Sequence, residues 1–127
     1  MHYGFSKTVN LSYEQAVLKV TEELQKEGFG VLTSIDVKET LKKKLNVDFQ
    51  KYIILGACNP PFAHRALQAE EEVGLLLPCN VVVYEKGGKT VVSVFNPMAM
   101  MALIKNPTMQ EIAQQVKERL ERVINNV

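Results

Sequence analysis

"VGLLLPCNVVVYEKGGKTVVSVF", residues 73–95, carries the strongest fold signal in the chain. Two valine-rich runs flank the pair Gly87-Gly88 within it. A Gly-Gly pair between two such runs is typical of a β-hairpin, because glycine tolerates the positive φ angles of a tight turn. Pro78 lies where the first arm begins to pair, since proline cannot donate a ladder hydrogen bond. The stretch therefore predicts two adjacent antiparallel strands.

Upstream of this hairpin, predicted strands alternate with predicted helices. Period-two alternation or an unbroken apolar run marks three strands, at residues 3–9, 29–37 and 52–58. The first helix begins at Ser12, where Gln15 completes a capping box, and it ends at Gly28. A second helix is capped by Asp36, with Glu39 three residues later.

Three more helices are predicted after the central strand. Asn59 caps the third helix and Pro60 begins it, where a missing N–H costs nothing. Asn96-Pro97 repeats the device before "MAMMALIK", and Thr108 with Glu111 forms the capping box of the last helix. The second and last helices should each bury an apolar stripe, formed by Val37, Leu41 and Leu45, and by Ile112, Val116, Leu120, Val123 and Val127.

The element order is thus β-α-β-α-β-α-β-β-α-α. It predicts an α/β (α+β) two-layer sandwich, with one mixed, mostly antiparallel sheet of about five strands and helices packed on it. The chain, residues 1–127, is expected to form a single domain, because no linker or repeat interrupts it. A doubly wound nucleotide-binding fold is disfavoured, since no glycine-rich loop follows the first strand.

Composition excludes several function classes. Hydrophobic residues make up 46% of the chain and charged residues 23%, which is typical of an ordered globular domain. The formal net charge of +1 gives no basic excess for nucleic acid or an anionic membrane. No apolar run is long enough to span a bilayer and no signal peptide is recognisable, so a cytoplasmic location with reduced thiols is expected.

One weak candidate site stands out, in "GACNPPFAHR", residues 56–65. Cys58 ends a strand just before a helix N-terminus, a position that favours a thiolate. If Cys79 lies across from it, two sulfurs and the imidazole of His64 would suit zinc or copper(I), beside Asn59. The alternative is that both cysteines fill space in the core and that His64 hydrogen-bonds locally.

Two further hypotheses involve sulfur chemistry. Cys58 could act as a nucleophile or peroxide sensor, with Cys79 as the resolving thiol. Met98, and the methionines that follow it, could bind a soft metal or line an adaptable pocket, although packing of a short helix in the core or at a subunit contact is the favoured explanation. No Ser-His-Asp arrangement, nucleophile elbow or paired carboxylates are recognisable, so no catalytic residue is assigned.

The residues resemble a bacterial and archaeal family named domain of unknown function 302. The resemblance runs over residues 28–101 and rests on an ordered set: Gly30-Val31, Ile35-Asp36, Gly56-x-x-Asn59-Pro60, Leu77-Pro78 and Asn96-Pro97. It implies an α/β fold and a homodimer, but no reaction. Some members resemble this chain at Cys58 and Cys79 and others do not, which speaks against a thiol mechanism shared by the family.

The function predicted from the sequence is therefore a small, non-catalytic binding domain, homodimeric, with a site for a soft metal or a small molecule. The residues assigned to this site are Cys58, Asn59, His64 and Cys79, with Met98 beside them. Two alternatives stay open at this point: a thiol enzyme or redox sensor that uses Cys58, and a structural or interaction module whose function is its dimer surface.

Overall fold

The structure, a computed structural model, describes residues 3–127. Five strands form one sheet: β1 (Gly4–Val9), β2 (Gly30–Asp36), β3 (Tyr52–Cys58), β4 (Cys79–Lys86) and β5 (Lys89–Phe95). Four α-helices accompany it: α1 (Tyr13–Lys26), α2 (Val37–Leu45), α3 (Pro60–Ala69) and α4 (Pro107–Asn125). Two 3-10 helices cover Glu71–Leu76 and Pro97–Ala102. The predicted element order is confirmed, with the first 3-10 helix added and the second in place of the short helix predicted there.

The strand order across the sheet is β1-β5-β4-β3-β2. Every neighbouring pair of these described strands is antiparallel, so the sheet is not mixed as predicted. The hairpin of β4 and β5 is confirmed, and its turn carries positive φ angles of 59° at Gly87 and 76° at Gly88. Helices α2 and α3 each connect antiparallel neighbours rather than parallel strands.

One face of the sheet forms the core with α1 and α4. Valines of β4 and β5 alternate towards this face and are buried there: Val81, Val83, Val92 and Val94. Leu24 of α1 and Leu120 of α4 are completely buried against them. The predicted sandwich of one sheet and one helical layer is confirmed.

The opposite face of the sheet is less well covered, and we call it the open face. Alternation along the strands places Ile54, Val82 and Val91 on it, each half-buried. Tyr52 and Tyr84 stack there with ring centroids 5.3 Å apart. Helix α2 packs beside β2 and β3 at the edge of the sheet.

The two predicted apolar stripes have different outcomes. In α4, Ile112, Val116, Leu120 and Val123 are buried as predicted, and Val127 is half-buried just beyond the helix. In α2 the prediction is wrong, because no residue of this helix is buried and Leu45 is 65% exposed. The reason is position: α2 follows an edge strand, where the core does not extend.

Several helix ends were predicted correctly from local sequence signals alone. The Ser12–Gln15 capping box is confirmed, with both hydrogen bonds at 3.1 Å. Asp36 caps α2, since its carboxylate accepts a hydrogen bond of 2.9 Å from the backbone N–H of Glu39. Gly28 has a φ of +86°, the left-handed conformation predicted for the end of α1.

Two local predictions about helix caps are wrong, and one about the start of β4 is confirmed. Asn106, not Thr108, caps α4, because Pro107 occupies the first helical position and the cap is the residue before it. Residues 71–76 form a 3-10 helix, and β4 begins directly after Pro78, as predicted. Asn59 precedes α3 as predicted, but its side chain makes no capping hydrogen bond.

Candidate functional site

A cavity of about 340 Å³ lies where α3, the first 3-10 helix and the start of α4 meet the ends of β2, β3 and β4. Its wall is almost entirely carbon, and no charged side chain lines it. The polar side chains that reach it are few: Thr33, Cys58, Asn59 and Cys79. Such a wall is suited to uncharged, apolar molecules.

Small residues on α3 help to leave this space open. Ala63 and Ala66 face the cavity, and larger side chains there would occupy it. The opposing wall comes from residues distant in sequence, among them Phe29, Val73 and Met109, which are buried. Since tight packing is the rule in protein interiors, a space of this size is a specific feature of the fold.

The cavity opens beside the edge of the sheet. Two of its lining leucines are exposed to solvent, Leu32 by 69% and Leu67 by 41%. Leu32 lies at a register shift in β2, where Val31 pairs with Ala57 but Thr33 pairs with Gly56. An extra residue of this kind turns a side chain out of the regular alternation, and here it places a leucine at the mouth.

The two cysteines line the same cavity from neighbouring strands. Cys79 is buried and lies opposite Ala57 in the register of β3 and β4. Cys58 follows Ala57 and is the last residue of β3, so both cysteines lie at the end of the sheet that borders the cavity. Burial raises the pKa of the Cys79 thiol to about 11, and the nearby Cys58 adds to this effect.

The start of α3 offers little help to a thiolate. Its first two residues, Pro60 and Pro61, have no backbone N–H. The N–H of Ala63 already bonds the carbonyl oxygen of Asn59 at 2.9 Å. The stabilisation of a Cys58 thiolate by unpaired N–H groups, expected from the sequence, is therefore reduced by the same prolines that mark the helix start.

His64 and Met98 lie outside the cavity wall. His64 is exposed on α3, whereas Met100 and Met109 are the methionines that line the cavity. Within residues 3–127, no group of three or more His, Cys, Asp or Glu side chains comes close enough together to hold a metal ion. The zinc or copper(I) site predicted at Cys58, Cys79 and His64 stays a prediction.

Asn59 is fixed in place by the end of α1. Its Nδ2 donates a hydrogen bond of 3.2 Å to the carbonyl oxygen of Glu27, and Arg119 donates one of 3.1 Å to the same oxygen. Gly28 allows this approach, because a Cβ atom there would lie 3.0 Å from Asn59 Nδ2. The side chain thus joins the start of α3 to α1 while lining the cavity.

Cations lie outside the cavity, on the far side of Phe62. The guanidinium carbons of Arg119 and Arg65 lie 5.3 and 5.8 Å from the centroid of the Phe62 ring. Arg119 also lies 4.0 Å from Glu27, and Arg65 lies 3.8 Å from Glu111. These arginines cover an aromatic wall and have acidic partners of their own, so they leave the interior uncharged.

The comparisons with known proteins place this architecture in a family. The family model described as domain of unknown function DUF302 matches residues 5–127. The chain belongs to the DUF302 family. Its fold is similar to the crystal structure of an uncharacterized conserved DUF302 protein from Bacillus stearothermophilus, with a TM-score of 0.92 and 31% sequence identity. That similarity covers 99% of this chain and 98% of the other.

No curated protein matches this DUF302 chain. Among the described residues, no helix is both long and apolar enough to cross a membrane. The expected cytoplasmic location stays a prediction.

Sequence reasoning found only part of the cavity wall. Cys58, Asn59 and Cys79 line it as predicted, but most of the wall was missed, including Phe29, Val73, Met100 and Met109. A signal was available in α3, where Ala63 and Ala66, three positions apart, give one side of the helix only small side chains. That signal indicates close packing as readily as an opening, so the sequence could not decide between them.

Proposed function

We propose that this DUF302 domain binds a small, uncharged, mostly apolar molecule in the cavity beneath α3. The observation that carries the proposal is the cavity itself, about 340 Å³ in volume and without a charged residue in its wall. Ligand pockets in proteins are commonly about 300–1,000 Å³ and mostly apolar, with a few polar groups that fix orientation. Asn59 and the two thiols are such groups here.

Retention of the space also supports the proposal. An empty apolar cavity destabilises a fold, because its wall loses dispersion contacts. A larger side chain at Ala63 or Ala66 would remove this cost. An apolar cavity of about 150 Å³ is already enough to bind benzene, so this one has room for a larger ligand.

Binding of a neutral hydrophobic fluorophore, N-phenyl-1-naphthylamine, tests the proposal. The unmodified protein should give a saturable rise in fluorescence with one site per chain. Ala63→Trp should lower the affinity at least tenfold, because the indole fills the cavity. Gln68→Trp is the matched control, since Gln68 is exposed on the same helix and does not line the cavity.

The control should bind the fluorophore as the unmodified protein does. Two results would contradict the proposal: no saturable binding to the unmodified protein, or equal loss of binding in the two tryptophan variants. The melting temperature of each variant, measured without the fluorophore, shows whether both are folded.

The metal and thiol hypotheses have less support in the geometry. Cys58 and Cys79 line one cavity. Within residues 3–127, however, no third His, Cys, Asp or Glu side chain joins them in a group that could hold a metal ion. A Cys79 thiol with a pKa of about 11 is protonated at neutral pH, which slows its reaction as a resolving thiol. Metal analysis of the reduced protein and of Cys58→Ser tests the metal hypothesis.

We also propose that the domain forms a homodimer through the open face of its sheet. Apolar side chains are exposed along one side of it: Ile35, Leu45, Val47 and Phe49 are 50%, 65%, 42% and 40% exposed. Ile35 pairs with Ile54 of the open face, and Phe49 contacts Tyr52 with ring centroids 6.3 Å apart. Several exposed apolar side chains on one side of a protein are characteristic of interfaces, and a second copy offers the same side chains by symmetry.

A further inference from the structure

Within the described chain, the side-chain carbonyl oxygen of Asn59 is an unpaired polar atom of a residue that lines an otherwise apolar cavity. Asn59 is only 8% exposed and lines the cavity. Its Nδ2 bonds Glu27, but across residues 3–127 no hydrogen-bond donor is paired with its Oδ1. Every fully sealed side-chain oxygen of the described chain has a hydrogen-bond partner, so the unpaired Oδ1 is not fully sealed. Because Asn59 lines the cavity, we take the cavity as the side from which a donor would approach this oxygen.

The neighbours of Asn59 determine which of the two terminal amide atoms is Nδ2 and which is Oδ1. The Glu27 carbonyl oxygen can only accept hydrogen bonds, so the amide nitrogen must face it. The amide oxygen then lies on the other side of the group, away from α1. A ligand that displaces water from this oxygen without supplying a donor would leave the carbonyl buried and unpaired, which costs free energy, so a ligand with a donor group is favoured.

Building on the proposed function, we propose that the ligand is an uncharged apolar molecule with a hydroxyl or N–H group that it donates to Asn59 Oδ1. The acceptor-only chemistry of this oxygen requires a donor. The absence of charge in the cavity wall disfavours carboxylates, phosphates and ammonium groups, which would lose hydration without gaining a counter-ion. Phenols, fused-ring alcohols and indoles have the required chemistry.

Three naphthalene derivatives of similar shape test this inference at pH 7. They are 2-naphthol, which donates a hydrogen bond, 2-methoxynaphthalene, which does not, and 2-naphthoate, which is charged. Calorimetric titration of the full chain should show 2-naphthol binding about tenfold more tightly than 2-methoxynaphthalene, the effect of one buried hydrogen bond. 2-Naphthoate should bind most weakly.

Two variants assign the effect to Asn59. In Asn59→Leu the preference for 2-naphthol should fall below about twofold, since the acceptor is gone. The Glu27 carbonyl keeps its hydrogen bond from Arg119 in this variant, so no backbone acceptor is left unpaired. Asn80→Leu is the matched control: Asn80 is exposed on β4 and does not line the cavity, so the same substitution there should leave the preference unchanged.

The outcomes separate this inference from the proposed function. If none of the naphthalenes binds, the apolar ligand site itself is wrong. If 2-naphthol and 2-methoxynaphthalene bind equally, the site stands and the role of Asn59 is overturned. Loss of the preference in Asn80→Leu overturns that role as well. The comparison of ligands on the unmodified protein decides the question even if Asn59→Leu does not fold.

Discussion

Burial raises the pKa of the Cys79 thiol to about 11, and the neighbouring Cys58 adds to the shift. Cys79 lies at the start of β4, among the apolar side chains that line the cavity. A thiolate in that environment loses its hydration without a compensating cation, so the proton is retained. At the scale of single residues, Cys79 is therefore part of the apolar wall at neutral pH.

This shift predicts a loss of stability at alkaline pH. The unfolded chain releases the Cys79 proton near pH 9, whereas the folded protein holds it until about pH 11. The unfolded state thus binds fewer protons in this window, and the free energy of unfolding falls as the pH rises through it. The contribution of Cys79 to that fall should be about 1 kcal/mol at pH 10 relative to pH 8.

Urea unfolding at pH 8 and pH 10, with a non-thiol reductant present, measures this contribution. Tyrosines and lysines also titrate in this range, so the comparison is with Cys79→Ala, in which their contribution remains. The unmodified protein should lose more stability between the two pH values than the variant does. Equal losses would show that Cys79 is not desolvated in the folded protein.

Whether a predicted site residue reaches the cavity depends partly on contacts that short stretches of sequence do not determine. Cys58 and Cys79 reach one cavity because β3 and β4 are neighbours, an arrangement that the sequence patterns left open. His64 was placed by counting along a helix, but counting does not say which side of the helix faces the sheet. The exposure of His64 depends on the packing of α3 against α4 and the first 3-10 helix, which its sequence neighbours do not reveal.

Among secondary structure elements, the position of a helix start is predictable from local sequence, whereas the contacts of the capping side chain are not. Asn59, Asn96 and Asn106 each precede a proline, and each lies immediately before a helix. The side chains of Asn96 and Asn106 accept hydrogen bonds from the following turn, whereas Asn59 turns to Glu27 instead. The Asn-Pro pair predicts where a helix begins, but a tertiary partner decides what the asparagine side chain does.

Asn106 should therefore contribute far more to stability than Thr108. Its Oδ1 accepts hydrogen bonds from the backbone N–H groups of Thr108 and Met109 at 2.9 and 3.3 Å. Its Nδ2 donates one of 3.1 Å to the carbonyl oxygen of Ala69, at the end of α3. Asn106→Ala should lower the free energy of unfolding by about 1–2 kcal/mol, and Thr108→Ala by less than about 0.5 kcal/mol.

Urea unfolding of the two variants, followed by circular dichroism, checks this expectation. Thr108 is the matched position because it is exposed, belongs to the same helical turn and was the cap predicted from the sequence. A larger effect of Thr108→Ala than of Asn106→Ala would restore the original prediction and contradict the observed cap.

The helix α2 marks the limit of pattern-based prediction for whole elements. Its cap at Asp36 and its apolar spacing were identified correctly, and the helix forms where they indicate. The spacing predicted a buried stripe, yet Leu45 is 65% exposed. A periodic pattern shows which side of a helix is apolar, but not whether the partner of that side belongs to the same chain.

For the molecule as a whole, the proposed homodimer would cover the exposed side of α2 and the open face of the sheet together. A lysine at Ile35 would place a charge in the proposed interface, because Ile35 pairs with Ile54 of the open face. Sedimentation velocity should show that the unmodified protein is a dimer and that Ile35→Lys is a monomer at the same concentration.

Leu18→Lys is the matched control for this experiment. Leu18 is 73% exposed on α1, in the helical layer on the other side of the sheet. The control should remain dimeric. A monomeric unmodified protein, or a dimer that survives Ile35→Lys but not Leu18→Lys, would rule out the open face as the interface.

The architecture as a whole was more predictable than its interior. The element order, the hairpin and the two-layer arrangement follow from short-range patterns: alternation, capping and turn residues. The cavity arises where α3, α4 and three strand ends meet, so its wall combines residues from Phe29 to Val116 that no local pattern connects. Its size depends on the distance between α3 and the sheet, which only the assembled fold sets.

Chemical-shift mapping with 2-naphthol tests whether the cavity is a ligand site. In ¹⁵N-labelled protein, a saturable titration should shift the backbone amides of Cys58, Asn59 and Ala63, and those of Met100 and Ile112 on the opposite wall. The amides of Tyr52 and Tyr84 on the open face should remain unchanged. Shifts confined to the open face, or the absence of any saturable shift, would contradict the account.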